Sequence, residues 1–334
     1  MSKALDIAVI GATGTVGEVL VQLLEEREFA LGSLHLLAGG ESAGQTLAFR
    51  GRNLRVGAVE SFDFARVQLA FFAAGEEVSL NFALKAQQAG CCVIDLSGAL
   101  EQALPVVPEV NGEVLRTAAV PCLLSSPAAV ATALTLVLAP LHARFGLRRV
   151  GLTAMLSVSS MGRAGVAELA RQTTELLNMR PLEPRVFDRQ IAFNLLAQVG
   201  APDGSGYAQL ERRIVREIRQ VLAVTELRVA LTCCVVPVFF GDSLALSAEF
   251  AEAVDVAEVA DLLERQAGLR LMEADDYPCV VGDAVGQDEL YVGRLRAGLD
   301  EPAELNLWIA SDNVRKGSAL NAVQIGELLI KHYL

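Results

Sequence analysis

Three groups of residues in this 334-residue chain have types and spacings that could do chemistry. The first is Gly11-Ala12-Thr13-Gly14-Thr15-Val16-Gly17, set between an apolar run and an amphipathic one. Glycines in that setting let the backbone approach a pyrophosphate at a helix N-terminus, which makes Gly11, Thr13, Gly14, Thr15 and Val16 candidate dinucleotide contacts. The competing reading is a tight turn that serves only strand-helix packing and binds nothing. Further on, Glu41 follows Gly39-Gly40. An acidic side chain there can bond a ribose 2′-hydroxyl and repels a 2′-phosphate, favouring NAD over NADP. As an exposed loop glutamate it could equally be solvated and idle.

The second group lies in Val120-Pro121-Cys122-Leu123-Leu124-Ser125-Ser126-Pro127-Ala128-Ala129-Val130. It reads as a strand, an N-capping serine, proline at the first helical position and an apolar helix. A thiol on that first turn would be favoured as thiolate by the unpaired amides and the helix dipole, but the chain has alanine there. The third group is the loose cysteines and histidines. Cys91-Cys92, Cys122, Cys233-Cys234 and Cys279 show no metal or redox spacing and sit in apolar contexts, so each is expected to be a small core hydrophobe in a reducing cytoplasm. His35, His142 and His332 are expected to be ordinary structural or surface histidines.

The elements that must position these residues fall into two patterns. Up to about residue 125, short β-branched runs alternate with helical patterns, the mark of a doubly wound parallel sheet. Strands are expected at Asp6–Gly11, Ser33–Ala38, Val67–Ala73, Cys92–Asp95 and Cys122–Leu124, with helices at Val16–Arg27 and Glu77–Gly90. From Leu147 the strands lengthen, at Val150–Val158, Val229–Phe240, Ser243–Phe250 and Leu290–Arg296. Helices are expected at Arg163–Leu177, Ala208–Leu222 and Val256–Gln266, and a mixed sheet fits this spacing. The fold class expected is therefore α/β: a Rossmann-like dinucleotide-binding domain over residues 1–126 with a returning helix in 315–334 (Gly317–Tyr333), plus an α+β domain over 127–314. The apolar stretch Pro127–Leu141 is too short to span a bilayer and reads as a buried helix. No signal-peptide pattern follows Met1. A net charge of −12 without a basic run argues against nucleic acid and anionic membranes as partners.

Several blocks then share an order and spacing: GATGTVG, VPEVN (Val107–Asn111), the Ser-Ser-Pro helix start, GRAGVAEL (Gly162–Leu169), AFN (Ala192–Asn194), VGRLR (Val292–Arg296) and DNVRKGSALNAVQIGE (Asp312–Glu327). Together they resemble the aspartate-semialdehyde dehydrogenase family over nearly the whole chain, and within it the catalytically deficient Usg-type paralogues. The resemblance implies an NAD(P)-binding fold and a homodimer formed through the sheet of the second domain. Ala74, Gly75 and Asn321 complete the candidate cofactor set.

Active members form a thioester on a cysteine, and the resemblance puts Ala129 at that position. It puts Leu156 at the glutamine that orients the nucleophile, Val235 at the arginine that binds the substrate carboxylate and Asp242 at the acid/base histidine. Glu101 stands at the phosphate-binding arginine, and the Glu-x-x-Lys pair becomes Glu217 and Gln220. No catalytic residue is then expected, since a methyl group cannot attack a carbonyl and an aspartate lacks the histidine pKa suited to proton transfer near neutrality. Two functions follow: a pseudoenzyme that acts as a dimeric binding protein, or an NAD(P)-dependent oxidoreductase acting on an aldehyde or oxo group without a thioester.

Overall fold

A computed structural model describes residues 4–332; Met1 and the last residues of the expected C-terminal helix, Tyr333 and Leu334, lie outside them. The chain divides into two units, one made of residues up to Ala128 together with Ser318 onward, the other of Ala129–Gly317.

The first unit opens with β1 (Leu5–Ile10), α1 (Thr15–Glu26), β2 (Leu31–Ala38), the hairpin β3 (Thr46–Phe49) and β4 (Arg52–Arg55), and the short β5 (Gly57–Ala58). It continues through β6 (Leu69–Phe72), α2 (Glu76–Gln88), β7 (Cys92–Asp95), β8 (Leu104–Pro105), α3 (Pro108–Asn111) and β9 (Leu123–Ser125). Seven strands form one sheet in the order β5-β2-β1-β6-β7-β9-β8, and every pairing in it is parallel. Alternation along β1 feeds two cores: Leu5, Ile7 and Val9 join a cluster with Leu20, Leu23 and Leu24 of α1, while Ala8 and Ile10 join one with Ala83 and Ala86 of α2. Helices on both faces make the sheet doubly wound, as expected from the alternating pattern.

The second unit runs α4 (Ala129–Phe145), β10 (Leu147–Leu156), α5 (Gly162–Leu177), α6 (Gln209–Val221), β11 (Arg228–Val235), β12 (Asp242–Phe250), α7 (Val256–Glu264), β13 (Leu269–Leu271), β14 (Leu290–Ala297) and β15 (Glu304–Ser311). Its six strands are ordered β11-β10-β12-β15-β14-β13 and mix parallel with antiparallel pairs. Along β10, Val150, Leu152, Ala154 and Leu156 are buried, whereas Arg149 and Thr153 are exposed, so one face of this sheet carries the core. The other face is open: Thr153, Ala230, Thr232, Arg294 and Arg296 line a shallow depression of about 670 Å³. The chain then enters α8 (Asn321–His332), which completes the first unit. There the missing side chain of Gly326 lets the helix lie against Phe29, Leu69 and Phe71; a Cβ would come within 3.0 Å of the Phe71 ring.

Two expectations are corrected. The strand expected to run to Phe240 stops at Val235, because Pro237 has no N–H to offer a ladder and the Val238 N–H turns back to the Val236 carbonyl at 2.8 Å. The central strand β15 was not anticipated, although Leu305, Leu307 and Ile309 are buried at alternate positions. Pro302 and the polar residues that lead into it hide a run that is plain once its period of two is read. Among the described residues no helix is long and apolar enough to cross a membrane.

Candidate functional site

In the first unit the strand order reverses between β1 and β6: the chain leaves β1 for β2 on one side and returns to β6 on the other. Open parallel sheets bind ligands at such a switch point, outside the strands' carboxyl ends. Both strands run there into helix N-termini, with Gly14 as N-cap of α1 and Gly75 as N-cap of α2. Neither glycine has a side chain to cap the first-turn amides; in α2 the Val78 N–H already donates to the Gly75 carbonyl at 3.1 Å, and a helix N-terminus without a side-chain cap is suited to an anion. Gly11 has φ of +81°, and a Cβ on it would meet the Ala73 carbonyl oxygen at 2.4 Å. Gly17 is tighter still, with a Cβ falling 2.0 Å from the Gly11 carbonyl oxygen. The packing explanation of these glycines and the pyrophosphate explanation are thus both met by the same turn.

Candidate cofactor residues divide by position. Thr13, Gly14, Thr15 and Val16 are half-buried around the loop, Ala74 is half-buried and Gly75 exposed at the end of β6, and Glu41 is exposed in the turn after β2. Thr15 Oγ1 and Asn321 Oδ1 are buried without a hydrogen-bond partner, a condition that polar groups in native proteins avoid unless something else meets them. Asn321 already works as a brace, since its Nδ2 donates to the Val106 carbonyl at 3.0 Å and to Ser126 Oγ at 2.9 Å. A dinucleotide therefore fits the loop, the two helix ends and at least one orphaned acceptor. Glu101 is exposed in a turn.

In the second unit the four positions of interest gather at one end of the mixed sheet. Leu156 ends β10 and is the register partner of Val235 at the end of β11; Asp242 begins β12 opposite Ser311, the last residue of β15. Ala129 opens α4, and Gly317, six residues beyond Ser311, is glycine of necessity: a Cβ there would lie 2.5 Å from the Ala129 Cβ. Leu156 and Val235 are almost fully buried, Val235 in an apolar cluster with Val158, Leu169, Ile191, Ala192 and Leu196. Glu217 is buried but ion-paired with Arg213 at 2.7 Å, and Gln220 is exposed.

Asp242 has the most distinctive setting. It is 3% exposed, and its Oδ1 accepts from the Ser157 N–H at 3.0 Å and the Ser157 hydroxyl at 3.3 Å. Ser157 and Ser159 share a hydroxyl contact of 2.9 Å. Asn313 bonds Ser159 Oγ through Nδ2 at 3.0 Å and accepts the Gly241 N–H at 3.0 Å. Burial pushes the Asp242 carboxyl up to about 7, with the negative Asp312 adding to the rise and the two Ser157 bonds opposing it. An aspartate here does have a pKa suited to proton transfer near neutrality, contrary to the expectation from residue type, because the protein interior penalises its charge more than two hydrogen bonds favour it. Ser157, Ser159 and Asn313 were not assigned roles from sequence; Asn313 sits in a long matched block, but nothing in that block marks it as the partner of a residue some seventy positions earlier.

The cysteine expectation holds for five of the six. Cys91 and Cys233 are pushed up to about 12 by burial, and the buried Cys122 and Cys234 are also raised. The Cys92 thiol, hydrogen-bonded within the same buried pair as Cys122, is lowered to about 7. Cys279 is exposed, not core, because the turn Val280–Ala284 directs its neighbours Val280 and Ala284 inward instead. Among the described residues no cluster of His, Cys, Asp and Glu could hold a metal ion. His142 Nδ1 accepts the Leu147 N–H at 3.1 Å, and His35 lies 5.2 Å from the Phe62 ring, both structural roles; the side chain of His332 lies outside the described residues.

Comparison with known proteins agrees with this geometry. Residues 6–118 match the semialdehyde dehydrogenase NAD binding domain and residues 138–316 the semialdehyde dehydrogenase dimerisation domain. The chain is 60% identical to a USG-1 protein homolog of Azotobacter vinelandii, covering 99% of each. It is 40% identical to aspartate-semialdehyde dehydrogenase 2 of Vibrio cholerae over the whole of both chains. Among solved structures, a probable aspartate-semialdehyde dehydrogenase from Pseudomonas aeruginosa superimposes with a TM-score of 0.97 at 60% identity, covering 99% of this chain and 100% of that one. Aspartate semialdehyde dehydrogenase II of Vibrio cholerae, complexed with ASA, superimposes at 0.96 with 39% identity and full coverage of both. Parallel dinucleotide-binding sheet, mixed-sheet dimerisation domain and motif order all lead to one assignment: the chain belongs to the semialdehyde dehydrogenase family, alongside the aspartate-semialdehyde dehydrogenases and the USG-1 homologues.

Proposed function

We propose that this chain is a pseudoenzyme of its family, a cytoplasmic homodimer formed through the open face of the mixed sheet, which acts by binding. The observation that carries the reading is Ala129. Thioester chemistry needs a sulfur on the first turn of α4, and a methyl group has no lone pair to offer. Leu156 and Val235 supply neither the amide nor the guanidinium that would orient and hold a substrate carboxylate. The expected result is no enzyme-proportional turnover of aspartate semialdehyde with phosphate and either nicotinamide cofactor. Ala129→Cys is expected to stay at least about 10⁴-fold below an active family member, because catalytic groups act as a unit. Sustained turnover by either protein overturns the reading.

A nicotinamide dinucleotide is proposed to lie on Gly11, Thr13, Gly14, Thr15, Val16, Ala74, Gly75 and Asn321, with Glu41 favouring NAD over NADP by repelling a 2′-phosphate. The dinucleotide would supply a hydride acceptor or donor. In a thermal-shift titration NADH should raise the melting temperature more than NADPH, since ligand at about 100 times its Kd adds about 2.7 kcal/mol. Glu41→Ala should remove the discrimination, and equal shifts in the unaltered protein would refute it.

One observation favours a second reading. A buried carboxyl titrating near neutrality at Asp242 is suited to general acid/base work. In an oxidoreductase acting on a free carbonyl, hydride goes to carbon and a proton to oxygen, with no thioester. That reading requires NADH oxidation driven by a small aldehyde or oxo compound, lost in Asp242→Asn.

A further inference from the structure

We propose that Cys92 and Cys122 form a dithiol modification site, which a hydroperoxide oxidises to an intramolecular disulfide across two neighbouring strands. The inference goes beyond the proposed function and holds whether or not the chain turns over any substrate. The two residues lie 30 positions apart, and the fold alone brings them together. β7 and β9 run parallel with Val93 opposite Leu123, so Cys92 stands opposite Cys122 at the entry to each strand. Neighbouring strands lie about 4.8 Å apart, inside the Cα separation of roughly 4.4–6.8 Å that a disulfide spans. Both side chains point to the same face, in one core cluster with Ile94 and Leu124, whereas Cys91 and Val93 belong to the cluster on the other face. The Cys122 N–H donates to Cys92 Sγ at 3.4 Å, and the two thiols hydrogen-bond to each other. Among the described residues no other two thiols are so placed: Cys91 donates to the Val67 carbonyl at 2.9 Å, and Cys233 and Cys234, adjacent along β11, point to opposite faces of their sheet.

The setting supplies reactivity and a way in. The Cys122 thiol, donating to the Cys92 sulfur, holds Cys92 down to about 7 against the opposing effect of burial, and the thiolate is the nucleophile. Although both sulfurs are buried, Cys122 follows directly on the exposed Val120 and Pro121. Pro121 has no N–H to donate, and the Cys122 N–H has only a sulfur to bond, so this entry to the sheet is held more weakly than the ladder behind it and opens first. In the first step the Cys92 thiolate attacks one oxygen of hydrogen peroxide: an S–O bond forms, the O–O bond breaks, and the other oxygen leaves as water with the proton released from Cys92. The Cys122 sulfur then attacks the Cys92 sulfur: the S–S bond forms, the S–O bond breaks, and the departing hydroxyl takes the Cys122 proton to become a second water. Two electrons thus pass from the thiol pair to one peroxide. A disulfide held at the strand spacing cannot relax freely, which leaves it open to reduction by a dithiol.

The test treats the full chain with hydrogen peroxide, quenches with catalase, then unfolds, alkylates and digests it with trypsin for mass spectrometry. Cleavage at Arg116 separates Cys92 from Cys122, so the expected product is two linked peptides, lighter by two hydrogens than their sum, which dithiothreitol parts. Free thiol at Cys92 should disappear at least about tenfold faster than at Cys91, whose sulfur is buried without a thiol partner. Cys91→Ser should keep the link. In Cys122→Ser the link should be lost and the Cys92 sulfur should instead be trapped by dimedone as its sulfenic acid. Unfolding in urea before the peroxide is added should slow formation of the link at least about tenfold, because the strand pairing that sets the sulfurs together is gone. Cys92 and Cys122 still fully alkylated after a treatment that consumes the exposed Cys279 thiol, a link through Cys91 instead, or a link that forms as fast in urea overturns the proposal. Discovery of semialdehyde turnover would sink the pseudoenzyme reading and leave these results unchanged.

Discussion

Asp242→Asn should make the protein more stable at pH 8 than it is with aspartate, by at most about 4 kcal/mol, while leaving its stability near pH 4 almost unaltered. The sign follows from linkage. The Asp242 carboxyl has an ordinary value of 3.8 and is raised to about 7 in the folded protein, so the native state holds a proton that the unfolded chain has already released. From about pH 4 to about pH 7 the unfolded state is progressively favoured, and above about 7 the cost is complete. Asparagine keeps the shape of the protonated acid and an oxygen to accept from Ser157, and it never ionises. Denaturant midpoints of both proteins at several pH values give the difference directly. A stability difference that does not grow with pH between 4 and 7 refutes the buried, neutral carboxyl, and with it the acid/base role of the second reading.

Gly17→Ala should cost about 3 kcal/mol or more, enough to unfold a protein of ordinary stability. The added methyl would sit 2.0 Å from the Gly11 carbonyl oxygen and within 3 Å of the Gly11 carbonyl carbon and the Ala12 Cα, all backbone atoms that cannot swing aside. Relief requires α1 to move off β1, which opens the apolar core of Leu20, Leu23 and Leu24 and spoils the turn that a dinucleotide would use. Gly40→Ala is the matched control, because no atom lies within 4 Å of its missing side chain; its change should stay within about 0.5 kcal/mol. Chemical denaturation of the two variants separates them, and a Gly17→Ala protein as stable as its control would show that the loop tolerates bulk.

The glycine loop was legible in sequence because its residues act on near neighbours: Gly11, Gly14 and Gly17 serve one turn, and a local pattern records a local need. The parallel sheet was legible for the same reason, its central runs β1, β6 and β7 being buried on both faces. The surroundings of Asp242 were not, since Ser157 reaches it from the end of β10 and Asp312 acts on it from beyond the end of β15, and no spacing in the chain encodes that meeting. Burial then changed the chemistry of a residue whose type was known all along, moving an aspartate into the range expected of a histidine. Cys279 erred in the opposite direction: apolar neighbours in sequence do not bury a side chain when a short turn takes those neighbours inward and leaves it outside.

The first unit is interrupted by the second, with α8 returning to close the core around Phe29, Leu69 and Phe71. On the ribosome, the piece that seals the nucleotide-binding layer is thus delivered only after every residue of the inserted module has been synthesised. The module in the middle can finish folding as one continuous stretch, while the earlier-made sheet must wait with an unsealed apolar face. Nascent chains stalled before residue 318 are accordingly the species in which chaperone capture and misassembly should concentrate.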